Sequence, residues 1–470
     1  MSNPVTRWPQ QIKYIIGNEA CERFSYYGMR SILAGYITGA VLQGGLGQSA
    51  DRSTEIIHTF VAANYFMPLL GAWLSDKLIG RYHTILWVSL FYCAGHGVLA
   101  CSDFVGGVDG KLWCLFAGLA LIAFGSGGIK PCVSAFMGDQ FAPEQSHLLQ
   151  KAYGAFYWSI NLGSFFSFLV IPWIKNHHGY SWAFGVPGIF MALATFVFWL
   201  GTKHYVRVPP SRETKTAGFF KVFWHALTNP KVPGQDFWSG ARQRFTAVEV
   251  DAAKSVLPIL GIFALVPPFW SLFDQTNSTW VLQGGKMQPF ELFGLHIGAE
   301  QMQSANPLLV MILVPILTLL IYPRLGKLAS PLRRMSYGMF LGAFSYVIVA
   351  ALQQRIETGA QLSVAWQILP YLVLTAAEVL VSTTGLEFAF REAAKEMKSL
   401  IISFWLLTVT LGNLLVAGIT KFSAGGAGGE ESVTSGRFFL YAGLSFVVAI
   451  LFSAVAAFYQ YRDPSAAHGK

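Results

Sequence analysis

Within "EACERFSYYGMR", residues 19–30, two carboxylates, two guanidiniums and two tyrosines sit inside an otherwise apolar stretch. At about 100° per residue a helix gathers Glu19, Glu22, Arg23, Tyr26 and Arg30 into one sector about 100° wide, with Tyr27 at its edge. A charge in the bilayer core costs at least about 2.5 to 3.5 kcal/mol, so such a stripe must face protein or a water-filled cavity. Two readings stay open: a structural network in which Glu19 and Arg23 pair one turn apart, and a hydrophilic path for a charged or zwitterionic substrate and a proton.

Matching chemistry recurs along the chain. Lys130 follows the glycine run of "FGSGGIKPC", and Asp274 lies in "FWSLFDQTNSTW". Glu378 is a mid-helix carboxylate in "LTAAEVLVSTTG" with no basic residue within two turns, so it calls for an amine. Ser382 on the same segment is counted with the substrate-binding set. Asn161 and Asn306 offer amides that suit either a ligand or a neighbouring helix. His58 has an ordinary pKa near 6.5 and could titrate physiologically, although a lone histidine on a helix is more often structural. No HExxH, GxSxG or Walker A motif is present, so the expectation is no enzyme, no metal or cofactor, and no direct drive by ATP.

The elements that must position these groups are membrane helices. Of the 470 residues 53% are hydrophobic and only 12% charged, against about 25% in soluble domains. Twelve stretches are long and apolar enough to span, near 12–42, 53–79, 83–102, 111–136, 151–175, 182–204, 251–282, 301–326, 332–352, 362–390, 397–421 and 435–461. Most of the 33 lysines and arginines fall on the side that holds both termini, which predicts that both termini are cytoplasmic. The net charge of +9 thus describes topology, with no nucleic-acid partner expected. The first residues carry no recognisable removable signal, and the first helix is expected to direct insertion. The five cysteines are expected as free thiols, with a Cys101–Cys114 disulfide as the alternative.

The polar segment 204–250 divides the chain into 1–203, a six-helix bundle, and 251–470, a second six-helix bundle, with 204–250 as a cytoplasmic linker. An even split suggests a substrate site between the halves near mid-membrane. "GAWLSDKLIGRYHTI" and "YPRLGKLASPLRRM" echo one another after the second and eighth helices, and "SAGGAGGEES", 423–432, reads as a flexible outer loop. Depth along the helices puts Arg30 and Asp274 in the outer half, one on each bundle, and so predicts an outer gate. Glu19, Glu22, Arg23 and Lys130 fall in the cytoplasmic half.

These motifs closely resemble the proton-dependent oligopeptide transporter family, a branch of the major facilitator superfamily. The ExxERFxYY motif is complete as Glu19, Glu22, Arg23, Phe24, Tyr26 and Tyr27, while "GAWLSDKLIGR", "FYWSINLGS", "FWSLFDQTNSTW" and "LTAAEVLVSTTGLEF" match further signatures between about residues 12 and 460. The resemblance implies an all-α membrane protein with the major facilitator fold. It also implies proton-coupled import of di- and tripeptides by a monomer in the plasma or bacterial inner membrane. By the same resemblance Arg23, Arg30 and Lys130 hold the peptide carboxylate, and Asn161, Asn306 and Glu378 its amino end. Tyr26, Tyr27 and Tyr65 resemble pocket tyrosines, Trp405 a pocket wall, and His58, in "IIHTFVAANYF", a histidine implicated in proton binding in animal members. Glu19, Glu22, Asp274 and His58 are then the proton-coupling candidates. Two departures stand out: the 204–250 segment is too polar for the two extra helices that many bacterial members insert between the halves, and Thr279 replaces an arginine of the animal members, whose large outer domain after the ninth helix is absent here. The alternatives are a carrier of another small anion or zwitterion such as nitrate, and a non-transporting peptide sensor on the same fold.

Overall fold

The computed structural model describes residues 8–210, 218–229, 236–394, 397–424 and 432–461. Most of the glycine-rich 423–432 segment and parts of the 204–250 linker therefore lie outside the described residues. Eight helical stretches among the described residues are long and apolar enough to cross a membrane, and the bent pair Ala247–Phe263 and Pro267–Gly284 adds a ninth. Two of the eight, Ala50–Phe104 and His147–Lys203, are 55 and 57 residues long, more than twice what one crossing needs. The first helix, Ile12–Thr38, is long enough to cross as well but carries Lys13, Glu19, Glu22, Arg23 and Arg30.

The longer helical segments among the described residues are labelled in chain order: α1 Ile12–Thr38, α2 Ala50–Trp73, α3 Gly80–Ala100, α4 Gly107–Gly138, α5 and α6 as the two parts of Ser146–Leu200, α7 as the bent pair, α8 Gln301–Leu325, α9 Pro331–Glu357, α10 Val364–Glu392, α11 Lys398–Ala424 and α12 Ser435–Phe458. α5 and α6 part at Gly179, whose φ of 82° is open to glycine and costly for side chains. Successive helices run up and down, so one end of the molecule carries both described termini and is called proximal; the other is distal.

Buried apolar side chains form one core from Ile12 to Tyr205, joined by Val281, and two further cores in the second half. Small residues let backbones approach: a Cβ on Gly71 of α2 would collide with the backbone of Gly128 on α4, and one on Gly163 of α5 would come within 2.7 Å of the Ala20 carbonyl of α1. The echo between the halves has a structural counterpart. Gly80 and Gly326 both adopt positive φ at proximal turns. Beyond them Arg81 reaches Asp139 of α4 at 2.6 Å, and Arg334 reaches Glu387 of α10 at 2.8 Å.

Two elements differ from the expected pattern. The 204–250 segment contains a helix, Phe219–Thr228, that buries Phe219, Val222 and Ala226 on the second-half core. Its apolar spacing at i, i+3 and i+7 was masked by the polar average of the surrounding segment. The Thr246/Glu249 capping box starts α7 at Ala247, earlier than hydropathy suggests. A β-hairpin, Phe290–Leu292 paired with Leu295–Ile297, interrupts the all-helical pattern between α7 and α8. It turns on Phe293 and Gly294, both at positive φ as a tight hairpin requires. All five cysteines are free thiols.

Candidate functional site

The charged stripe of α1 faces protein along its whole length. Arg23 Nε lies 2.8 Å from both Glu19 Oε1 and Glu22 Oε2, and all three side chains are buried. Ser126 of α4 approaches Glu22 Oε1 at 3.5 Å. One cation thus answers two carboxylates, which satisfies part of the cost of burying them. Lys130 is half-buried nearby, with its ammonium nitrogen enclosed. Its ammonium has no hydrogen-bond partner among the described residues and lies 4.4 Å from the Tyr26 ring centre and 4.6 Å from that of Tyr65. Cation–π attraction of this kind is worth about 2 kcal/mol when desolvated, less than a full ion pair. Tyr26 is oriented by Asn64, whose Nδ2 donates to its hydroxyl at 2.9 Å.

One turn further along the stripe the two halves meet. Arg30 Nη2 donates to Asp274 Oδ1 of α7 at 2.6 Å, with side chains 4% and 3% exposed. Asn413 Nδ2 of α11 donates to Asp274 Oδ2 at 2.7 Å. The Asn413 oxygen faces His58 Nδ1 of α2 at 2.7 Å, and His58 Nε2 faces Ser278 Oγ at 2.8 Å. Since Asn413 spends its amide hydrogens on Asp274 and on the Val409 carbonyl, its oxygen must accept, which places the His58 proton on Nδ1 and leaves Nε2 to accept from Ser278. The chain Arg30–Asp274–Asn413–His58–Ser278 ties α1 and α2 to α7 and α11 and closes the distal end.

Below this closure lies a cavity of about 250 Å³ lined from both halves. Tyr27, Arg30, Tyr65 and Asn161 reach it from the first half; Asp274, Asn306, Glu378 and Ser382 reach it from the second. Glu378 is not alone: Asn306 Nδ2 donates to its Oε2 at 2.7 Å and to Thr375 Oγ1 at 3.2 Å. Asn161 spends one hydrogen on the Tyr157 carbonyl at 2.9 Å, within its own helix. A π-helical turn, Val379–Thr383, follows Glu378 directly and turns Ser382 and Thr383 into the cavity. Such bulges recur at functional sites because they break the regular i to i+4 alignment.

Glu19, Glu22, Arg23, Tyr26, Lys130, His58 and Trp405 do not line this cavity. Lys130 stands behind the Tyr65 ring, and Trp405 packs on Gly385, with Trp270 and Phe263 rings at 6.1 and 5.2 Å. Sequence reasoning passed over Tyr157, Trp270, Phe273 and Tyr371, which line the cavity, and Asn413 and Ser278, which complete the closure. The polar run "DQTNST" around Ser278 was a usable signal; Asn413, alone in the apolar "LTVTLGNLLV", was not.

Comparison with known proteins places this arrangement. The profile of the POT family matches residues 82–432. Solute carrier family 15 member 2 of Homo sapiens is 35% identical over 402 residues, which cover 81% of this chain and 54% of the human protein. The chain thus spans about half the length of the curated relatives it matches. Among solved structures, the POT-family transporter PepTSo is 41% identical with a TM-score of 0.88, over 97% of this chain and 99% of that one. An auto-inhibited POT-family peptide transporter is 40% identical with a TM-score of 0.86, over 97% and 98%.

Proposed function

The chain belongs to the POT family, a family of membrane transporters with the major facilitator fold, and on that premise we propose that it imports di- and tripeptides together with protons by alternating access. The observation that carries this reading is the cavity itself, closed distally, with a guanidinium at one wall and a carboxylate at the other. Arg30 and Glu378 lie on opposite halves, and a zwitterion with separated ends suits such a pair better than a simple anion, which would gain nothing from Glu378. The bundles 1–203 and 251–470 rock about this site, joined by the 204–250 linker.

The twelve segments cross the plasma or bacterial inner membrane with both termini in the cytoplasm, so the distal end faces outward and the protein works as a monomer. Glu378, Asn306 and Asn161 receive the peptide amino group. Its carboxylate is drawn to Arg30, and to Arg23 and Lys130 once Tyr65 moves aside, with Tyr26 and Tyr27 shaping the walls and Trp405 steadying α10. Protons enter through Asp274, His58 and the Glu19/Glu22 pair. Neutralising Asp274 removes its attraction for Arg30, so the outer ends can part, and no cofactor is called for.

Purified protein in liposomes tests this directly. Labelled dipeptide is expected to accumulate above its outside concentration when an inward proton gradient is imposed, and a proton ionophore is expected to abolish the accumulation. Uphill uptake that survives the ionophore would overturn the symport reading.

A further inference from the structure

Away from the central cavity, an open groove of about 720 Å³ runs between the proximal ends of α9 and α12. It exists because side chains are mismatched in size: Ser453, Ala456 and Ala457 of α12 are small where Tyr337 and Phe340 of α9 are large, so a trough is left between the two helices.

The groove changes character with depth. Arg333, Ser330, Tyr459 and Tyr461 stand at its proximal rim. Two bonds hold that rim in place: the Tyr459 hydroxyl donates to Glu392 Oε2 of α10 at 3.1 Å, and the Leu332 N–H donates to the Tyr461 hydroxyl at 3.3 Å. Further in, Ser336 and Ser453 give their hydrogens to carbonyls of their own helices at 3.0 and 2.8 Å, so neither offers a donor to the space around Phe340 and Ala456. Phe340 lies nine residues beyond Pro331, about 13 Å along the axis. Its ring meets that of Phe446 of α12 at 5.4 Å, which closes the inner end.

We infer that this groove seats an anionic phospholipid of the leaflet at the proximal end, with its phosphate on Arg333 and one acyl chain running along Phe340 toward mid-membrane. Such a site faces the bilayer and is independent of what the protein carries.

Position, polarity and charge all select this occupant. α9 and α12 are long and apolar enough to span, so the molecules within reach of their shared outer face are lipids. A polar rim followed by an apolar trough repeats the order of head group and chain along a leaflet, half of the about 30 Å hydrocarbon core. Among the described residues that line the groove none is acidic, and Arg333, which is exposed, is the one that carries a fixed charge. A zwitterionic head group would bring its quaternary ammonium beside that guanidinium with no carboxylate to receive it, whereas a head group of net negative charge meets only attraction. The planar fork of arginine also suits phosphate oxygens.

Protein stripped of lipid in mild detergent, titrated with phosphatidylglycerol or phosphatidylcholine of matched chains and read by native mass spectrometry, tests the site. Phosphatidylglycerol is expected to bind more tightly. Arg333→Gln should weaken it about fivefold, the equivalent of about 1 kcal/mol for one basic residue at an anionic lipid, and leave phosphatidylcholine unchanged. Ala457→Phe, at an exposed position, keeps the charge but fills the trough, and should weaken phosphatidylglycerol as well. A benzophenone amino acid in place of the exposed Tyr337 should crosslink to the bound phosphatidylglycerol, which locates the lipid without altering any charge. Excess inorganic phosphate should fail to displace it, because the chain supplies part of the hold. Equal affinity for the two lipids, unchanged phosphatidylglycerol affinity in Arg333→Gln of parental helical content, no crosslink at position 337, or displacement by inorganic phosphate would each overturn the site.

Discussion

His58 of α2 and Asp274 of α7 share one amide: Asn413 of α11 donates to the aspartate and accepts from the imidazole. A change of charge on either group must therefore be felt by the other, because Asn413 cannot turn without losing both bonds. Truncating Asn413 to alanine should separate them. We expect Asn413→Ala and His58→Ala each to reduce proton-driven accumulation, and the double variant to do little more than one alone. A double-mutant cycle on uptake checks this, and fully additive losses would show that no coupling passes through Asn413.

Asp274→Asn keeps the shape of the side chain and mimics a permanently neutral gate. The expected outcome is loss of accumulation against a gradient, with peptide counterflow retained. Uptake and counterflow measured on the same liposome preparation separate this from a merely destabilised protein, which would lose both together.

At the amino-end subsite, Glu378→Gln removes a charge and leaves a hydrogen-bonding group beside Asn306. Affinity for ordinary dipeptides should fall about tenfold to hundredfold, about 1.4 to 2.8 kcal/mol, while analogues with a blocked amino terminus lose little. Competition binding with matched free and blocked peptides decides it; equal losses for both would count against an ammonium partner.

Close backbone contact makes a separate prediction about stability. Gly71→Ala forces a methyl against the backbone of Gly128, which cannot move aside as a side chain would, and should cost about 1 to 3 kcal/mol. Gly97→Ala is the control: nothing lies within 4 Å of its would-be Cβ, and Gly97 lies within a helix. It should leave the midpoint unchanged or raise it slightly. Thermal unfolding in detergent, read for both variants side by side, tests the difference.

What was legible in the sequence follows from the cost of charge in lipid. Glu19, Glu22, Arg23 and Arg30 had to share a face and that face had to be interior, because a helix cannot turn such a stripe to hydrocarbon. The pairing of Arg30 with Asp274 could be anticipated because depth is countable at about 1.5 Å per residue, and two opposite charges at one depth have few other partners. The POT-family membership was legible for the same reason, since its motifs are built from those charges.

Composition and periodicity could not choose among apolar faces. Lipid and protein interior are equally apolar, so no pattern in α11 distinguishes the side bearing Asn413 from the side bearing Leu411, and only the packing of α2 on α11 made that amide the bridge to His58. Lys175 and Glu300 read as ordinary charges at helix ends; the fold placed them together across the two halves. Likewise Lys130 and Trp405 carried the right chemistry, yet the rings of Tyr65 and Tyr26 hold one behind the cavity wall and Gly385 seats the other against α10. Sequence alone determined which groups must be kept from lipid; tertiary structure decided which of them meet, because in a membrane the partner of a buried polar group is set by interhelical packing rather than by solvent.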